Sequence, residues 1–207
     1  MEDVTQLGGY LREAFRAEFD FKITNSILSG TGVGQPLGVL NGGSLVTISK
    51  ESGQSADTII WDNIKKMLAR FKPMNPARAV WVTNIDSLPQ LLSLYQPIGT
   101  AGVPVYTPAS QAAGGYNQLV GFPVIYSEAA PTVGDKMDLL LMDPTAYLLI
   151  DKAPGLQTAV SIHVRFIFDE QVFRFVYRHN GQPMFSSAIT PFKGSDTVSP
   201  FVCIEAR

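Results

Sequence analysis

The chain has 207 residues, a length that favours one domain or one domain with a large insertion. Only 16% of its residues are charged, against about 25% in an ordinary soluble domain, and the formal net charge is −2. This balance disfavours a dedicated nucleic-acid-binding module, whose basic residues would neutralise a phosphate backbone. A low charge combined with 45% hydrophobic residues leaves neutral or apolar surface, which indicates contact with other proteins.

The sequence lacks the signals that are typical of several classes of protein. No uninterrupted run of about 18 apolar residues is present, so no contact with a membrane is expected, and no signal peptide is visible. Cys203 is the only cysteine, which excludes an intrachain disulfide and a thiolate metal cluster. His163 and His179 lack zinc-site spacing, and no serine lies in a Gly-x-Ser-x-Gly elbow. We therefore expect no catalytic residue, no metal and no cofactor.

The first predicted element is a long helix over residues 3–28. Apolar residues recur at helical spacing along it, and no proline interrupts it. At 1.5 Å per residue it would be about 39 Å long, which suits a strut lying across a sheet. Gly30 is the expected C-cap residue.

A glycine-rich loop follows the helix, over residues 30–43. Glycine amides can cradle phosphates, but a dinucleotide site needs a strand before the loop and a helix after it. This loop instead follows a helix C-terminus, whose dipole repels anions, and it lacks the Walker lysine. We interpret it as a tight structural turn, with nucleotide binding as the weaker alternative. The residues assigned to the turn are Gly30, Gly32, Gly34, Gln35, Pro36 and Gly38.

A succession of helix, strand and helix comes next. Ser55 or Asp57 can cap a second helix, whose apolar stripe ends near residue 71. Residues 79–83 predict a strand, and Asn84 or Asp86 can cap a short leucine-rich helix after it. This order is typical of an α/β or α+β layer.

Residues 87–127 form an uncharged stretch, because 41 consecutive positions lack Asp, Glu, Lys and Arg. Disorder is one interpretation, but disordered segments are usually charged and poor in large apolar side chains, whereas this stretch is rich in them. We favour an ordered segment that packs against neighbouring subunits. The candidate interface residues are Tyr95, Ile98, Val103, Val105, Tyr106 and Tyr116.

The rest of the chain is strand-like. Valine and arginine alternate with aromatic residues over 172–178, which predicts a half-buried antiparallel strand. Asn180-Gly181 is a strong turn signal, so we expect a hairpin that includes Arg178, Asn180 and Gly181. The strands are predicted at 120–126, 137–142, 146–150, 158–164, 172–178, 184–189 and 198–204.

Six segments carry a family pattern in this order: residues 27–41, 81–84 with the leucine-rich helix after them, 119–127, 141–144, 147–151 and 173–181. Their order and sequence resemble the major capsid proteins of tailed phages and prophages that have the HK97 fold. The resemblance extends over about residues 7–191. Family members carry an N-terminal arm and an extended loop before the long helix, whereas this sequence starts almost at the helix. We therefore expect a truncated, processed or partial form.

The resemblance implies an α+β fold in two parts. The long spine helix would lie on an antiparallel sheet in a peripheral domain, formed by residues 1–54 and 151–207. An axial α/β domain, residues 55–150, would be inserted into it. In that family the loops of the axial domain meet around the fivefold and sixfold axes of capsomers, which would cover the uncharged stretch.

The function implied by the resemblance is structural and non-enzymatic. The subunit would self-assemble into pentamers, hexamers and an icosahedral shell around phage DNA, without sequence-specific contact to that DNA. Scaffolding and portal proteins would be further partners, and the shell would form in the host bacterial cytoplasm and become part of the virion. An encapsulin-like bacterial compartment shell is the alternative with the same fold. A soluble nucleotide-binding α/β enzyme is a further, less favoured alternative.

Overall fold

The computed structural model describes residues 4–98, 101–112, 115–153, 155–168 and 170–207. Within them are three α-helices: α1 (Val4–Ser29), α2 (Trp61–Arg70) and α3 (Leu88–Ser93). The strands of the same residues are β1 (Val46–Ile48), β2 (Val80–Thr83), β3 (Tyr95–Ile98), β4 (Ala101–Pro104), β5 (Tyr106–Thr107), β6 (Gln118–Leu119), β7 (Phe122–Tyr126), β8 (Leu139–Met142), β9 (Tyr147–Asp151), β10 (Gln157–Arg165), β11 (Glu170–Val176), β12 (His179–Pro183) and β13 (Phe201–Ile204).

A mixed seven-stranded sheet forms the core, in the order β1-β13-β8-β2-β7-β6-β5. Strands β8 and β13 are buried at every position, as expected for strands covered on both faces. One face packs on α2 through Ile64 and Met67. The other face packs on the end of α1 and the segment after it through Leu28 and Val39. The glycine-rich loop is therefore fixed against the central sheet.

The predicted long helix is confirmed as α1, which is continuous over 26 residues. It lies on the two-stranded ribbon formed by β10 and β11. The Phe15 ring stacks on Phe175 with ring centroids 4.3 Å apart, and Phe19 meets Tyr177 edge to face at 6.3 Å. The aromatic side of β11 therefore faces the helix, as its alternating sequence predicts.

The predicted hairpin at Asn180-Gly181 is wrong. His179–Pro183 instead forms β12, which pairs antiparallel with β9, so that Asn180 lies opposite Ile150 and Gly181 opposite Leu149. Only Tyr177 and Arg178 connect β11 to β12. A Cβ atom at Gly181 would lie 2.8 Å from the Tyr147 ring, so this glycine permits a close strand contact rather than a turn.

The cap of α2 also differs from prediction. The helix begins after Ile60 rather than after Ser55 or Asp57. The side chain of Asn63, inside the first turn, accepts the Ile60 N–H at 3.2 Å and exchanges two hydrogen bonds with the side chain of Gln54. The Asn63 side chain, inside the first turn, therefore caps this end of the helix in place of the Ser55 or Asp57 side chain that the sequence indicated.

Two further expectations concern the strands. No strand forms over 184–189, where the Met184 N–H donates to the Ala146 carbonyl and an isolated bridge joins Ile189 to Val198. Strands β1 and β13 lie outside residues 55–150, yet they are hydrogen-bonded into the central sheet. The division into peripheral and axial domains stays a prediction, and the central sheet crosses its proposed boundaries. In the described residues no helix combines the length and apolarity that crossing a membrane requires.

Candidate assembly surfaces and the glycine loop

The glycine loop folds back on the end of α1 through its own backbone. The Gly32 N–H donates to the Pro36 carbonyl at 3.2 Å, and the Gly38 N–H donates to the Gly30 carbonyl at 2.8 Å. A Cβ atom at Gly38 would lie 2.4 Å from the Gly30 nitrogen, so the two strands of the loop approach as only glycine allows. Gly32 and Gly34 have φ values of +79° and +68°, where an L side chain is strained.

Polar side chains and neighbouring strands hold this loop in place. The Gln35 amide donates to the Thr31 hydroxyl at 2.9 Å. The Leu37 N–H donates to the Gly181 carbonyl at 2.8 Å, and the Tyr147 hydroxyl donates to the Leu37 carbonyl at 3.0 Å. The amides of Gly32, Leu37 and Gly38 are therefore occupied within the chain, and they are not free to bind a phosphate.

Exposed apolar side chains lie on the β3–β4 ribbon and at Leu92 and Tyr116, which precede and follow it in the sequence. We call the ribbon together with these two residues the axial surface. Tyr95 is 60% exposed and Val103 is 50% exposed, and Leu92 and Tyr116 are also exposed. Gly102 lies against the Tyr95 ring, because a Cβ atom there would be 2.6 Å from it. The side chain of Ile98, the other candidate on this ribbon, lies outside the described part of the structure.

One of the candidate interface residues points into the subunit instead, and a second is half-buried. Tyr106 is only 5% exposed, and its hydroxyl lies 2.9 Å from the Tyr126 hydroxyl. Burial and this hydrogen bond raise the pKa of Tyr126 well above its ordinary value. Val105 packs against the same core. The assignment of Tyr106 to an intersubunit surface is therefore corrected, because its side chain stabilises the fold of the subunit, whereas Val105 is half-buried and stays a candidate.

A groove of about 550 Å³ runs beside the axial surface. It lies between the start of α2 and the segment from α3 to β3, and Trp61, Leu94, Tyr95 and Pro97 are among its apolar walls. Gln90, Ser93 and the carboxylate of Asp62 supply polar groups. Apolar walls with a few polar groups are the features of a site that receives another molecule's side chains.

The far end of the β10–β11 ribbon is a second apolar surface, which we call the ribbon tip (Phe166–Phe168). All three of its side chains are exposed, and Ile167 is 86% exposed. The whole chain exposes 12551 Å². A compact monomer of this size would expose about 9,500 Å², so the excess is about 3,000 Å².

The residues assigned to the hairpin lie in two places. Arg178 is in the link between β11 and β12 and lines a small pocket with Lys152 and Arg174. Asn180 and Gly181 lie within β12, where the Asn180 side chain accepts the Gly181 N–H at 2.9 Å. They therefore do not form one site.

Two residues whose side chains could be reactive, Cys203 and His179, have structural roles here. Cys203 is fully buried in β13, and burial raises the pKa of its thiol to about 11, so it is protonated at neutral pH. The Nε2 of His179 lies 3.2 Å from the Ser26 hydroxyl, which joins β12 to α1. Among the described residues no group of three or more His, Cys, Asp or Glu side chains could hold a metal ion.

A spine helix on a β-ribbon, a central mixed sheet and large apolar surfaces together define a capsid type of architecture. A sequence model described as the phage capsid family matches residues 1–194, and the chain belongs to this family. A search of curated proteins finds no match. The HK97-like α+β fold implied by the resemblance is confirmed by the solved capsid structures that the chain resembles.

Those structures are the capsid of an empty GTA particle and the capsid of a native GTA particle, both computed with C5 symmetry. Sequence identity is 15% and 14%, and the TM-scores are 0.65 and 0.67. Each alignment covers 95% of this chain but only 65% and 64% of the other chain, so this chain spans just under two thirds of their length. Identity this low shows a shared fold alone. None of these findings favours the encapsulin-like alternative or a nucleotide-binding enzyme.

Proposed function

We propose that this chain is a major capsid subunit that self-assembles into pentameric and hexameric capsomers and an icosahedral shell enclosing phage DNA. Its role is structural and involves no catalytic step. Scaffolding and portal proteins are its further partners during assembly in the host bacterial cytoplasm, and the finished shell belongs to the virion. Membership of the phage capsid family supports this role.

The observation that carries the proposal is the excess of exposed surface. A standard protein interface buries about 800 Å² on each partner, so an excess of about 3,000 Å² matches contacts on three or four sides of the subunit. Two groups of exposed apolar residues lie on extended elements, the axial surface and the ribbon tip, and further exposed apolar side chains such as Phe192, Val33 and Tyr10 lie elsewhere on the subunit. A subunit of a closed shell needs contacts of this kind with several neighbours at once.

Within a capsomer, we assign the axial surface to the contact around the symmetry axis. A ring requires two different patches that fit each other, because each subunit meets one neighbour on each side. One of these is an apolar patch formed by the β3–β4 ribbon, with Tyr95 and Val103, together with the groove beside Trp61 that Tyr95 also lines. Residues 87–127 carry no charge, and the carboxylate of Asp62, which lines the groove, is paired with Lys65, so covering this patch leaves no ion unpaired.

The first test is the oligomeric state of the purified chain. Light scattering coupled to size-exclusion chromatography, followed by negative-stain microscopy, should show pentamers, hexamers or shells. A strictly monomeric species at high concentration would contradict the proposal.

The second test introduces charge into the axial surface. Tyr95→Asp and Val103→Asp should each reduce assembly at least tenfold, because an ionised carboxylate would be buried without a partner. The thermal unfolding midpoint of the subunit should stay close to wild type, since both side chains are exposed. Ser49→Asp, an exposed neutral-to-acidic change away from this surface, is the matched control. Normal assembly of both axial variants would remove this surface from the capsomer contact.

A further inference from the structure

The face of the β10–β11 ribbon that points away from α1 is unlike the other exposed surfaces. Because Phe175 stacks on Phe15 of α1, its neighbours Arg174 and Val176 lie on the opposite face of the strand. The strand register places Arg174 opposite Ala159 and Val176 opposite Gln157. The β10 residues opposite Arg174 and Val176 are therefore uncharged.

Positive charges converge at one end of this face. A pocket of about 100 Å³ is lined by Lys152, Arg174 and Arg178, together with Gly155, Gln157 and Val176. The Lys152 N–H donates to the Arg178 carbonyl at 3.0 Å, which holds these two residues side by side. Among the described residues, no carboxylate lines the pocket. None of the salt bridges in that part of the chain includes Lys152, Arg174 or Arg178.

The pocket has the dimensions and the donors of a site for a single phosphate group. Its volume corresponds to about three water molecules, enough for one tetrahedral anion. Arginine forks and the lysine ammonium are the side chains that bind phosphate oxygens, through paired hydrogen bonds and point charge respectively. The overall charge of −2 does not oppose this, because the three cations are clustered on one face.

We propose that this face of the ribbon contacts the phosphate backbone of DNA enclosed by the shell, and so forms part of the inner surface. The proposal rests on the capsid function proposed above. None of the residues that line this pocket is aromatic, whereas the axial surface and the ribbon tip carry exposed aromatic side chains of the kind that anchor protein contacts. A few contacts per subunit bind weakly and without sequence preference, and many copies in one shell add their effect.

The test is the binding of the purified full chain to a fluorescein-labelled duplex of random sequence, followed by anisotropy over a series of NaCl concentrations. Three phosphate contacts predict that log K falls with log salt concentration with a slope of about −2.7. Arg174→Gln/Arg178→Gln should reduce that slope to about −0.9 and weaken binding at least tenfold at low salt. Arg174→Lys/Arg178→Lys, which keeps both charges, should retain most of the slope.

The matched control is Arg12→Gln/Lys22→Gln, which removes two positive charges from exposed positions of α1. It should leave the slope unchanged. A wild-type slope near zero, or equal losses in both double glutamine variants, would overturn the proposal.

The oligomeric state of each variant is measured in parallel. If the Arg174→Gln/Arg178→Gln variant loses assembly while it binds DNA like wild type, the cations bind carboxylates of a neighbouring subunit and the proposal is overturned. A wild-type chain that binds DNA with the expected slope but stays monomeric would instead contradict the capsid function alone.

Discussion

Asp143 is a fully buried carboxylate whose charge is stabilised by donors from two segments. The Asn75 N–H donates to it at 2.7 Å, and the N–H and hydroxyl of Thr145 donate at 2.9 and 2.6 Å. Burial would raise the pKa of Asp143. The hydrogen bonds from Thr145, Asn75 and Met74 outweigh burial and lower that pKa below its ordinary value.

Acid should therefore destabilise the subunit through this residue. A carboxylate with a lowered pKa in the folded state contributes stability above its unfolded pKa of about 3.9, and this contribution is lost as the pH falls through the folded pKa. Asp143→Asn should lower the free energy of unfolding by about 1–3 kcal/mol at pH 7 and flatten its decline below pH 4. Urea unfolding at pH 7, 5, 4 and 3 measures both effects. Asp62→Asn, at an exposed site, should keep the wild-type pH profile.

Arg207 and Asp138 form an ion pair with both side chains fully buried. The Nη2 and Nη1 atoms of Arg207 lie 2.5 and 3.2 Å from the two carboxylate oxygens, and its Nε donates to the Thr58 carbonyl. The carboxylate also accepts the Gly134 N–H at 3.0 Å. The pair thus joins the C-terminal segment to the loops before α2 and β8.

Removing the cation should leave a buried charge without a partner. Arg207→Met should cost about 3–5 kcal/mol in the free energy of unfolding, measured by urea titration. Adding Asp138→Asn to that variant should restore part of the loss, because the charge is then gone. Lys65→Met, which breaks the exposed pair with Asp62, should cost less than about 1 kcal/mol. Equal losses at the two sites would show that the buried pair has no special role.

Among the secondary-structure elements, α1 and the loop after it contain glycines with opposite requirements. A Cβ atom at Gly9, within α1, would meet nothing within 4 Å. A Cβ atom at Gly38 would collide with the backbone of Gly30 and Leu28. The first glycine only weakens the helix, whereas the second allows the loop to close.

Alanine substitutions should separate these two roles. Gly9→Ala should stabilise the subunit by up to about 1 kcal/mol, through helix propensity. Gly38→Ala should destabilise it by about 1–3 kcal/mol or more, because backbone atoms have to move. Thermal unfolding of the two variants gives the comparison, and a Gly38→Ala protein as stable as wild type would contradict the close approach described for this loop.

Local patterns in the sequence predicted α1, β2, β8 and the uncharged stretch, because each depends on spacing within a few residues. The role of Gly181 is one that these local patterns could not predict. Its role depends on the Tyr147 ring across a strand pair, and a local Asn-Gly signal contains nothing about that partner. The same holds for the candidate interface: composition located the segment, but whether Tyr95 or Tyr106 points outward is decided by the packing of Tyr106 on Tyr126.

Across the whole molecule, the surface is divided by chemistry. The axial surface and the ribbon tip are apolar, and the pocket between Lys152 and Arg178 is basic. The low total charge predicted neutral surface, and the structure shows part of it on the axial surface and the ribbon tip, with further exposed apolar side chains such as Val33 and Phe192 elsewhere. Such elements gain stability only when a neighbouring subunit covers them.

The ribbon tip gives the sharpest test of this dependence on neighbours. Ile167 contacts little within its own subunit, so Ile167→Asp should leave the thermal unfolding midpoint within about 2 °C of wild type. Assembly should fall at least tenfold and the solubility of the free subunit should rise, because an exposed apolar patch becomes charged. His163→Asp, an exposed polar position on the same ribbon, is the control and should assemble more fully. Sedimentation velocity measures the shell fraction, and wild-type assembly of Ile167→Asp would mean that the tip stays uncovered in the shell.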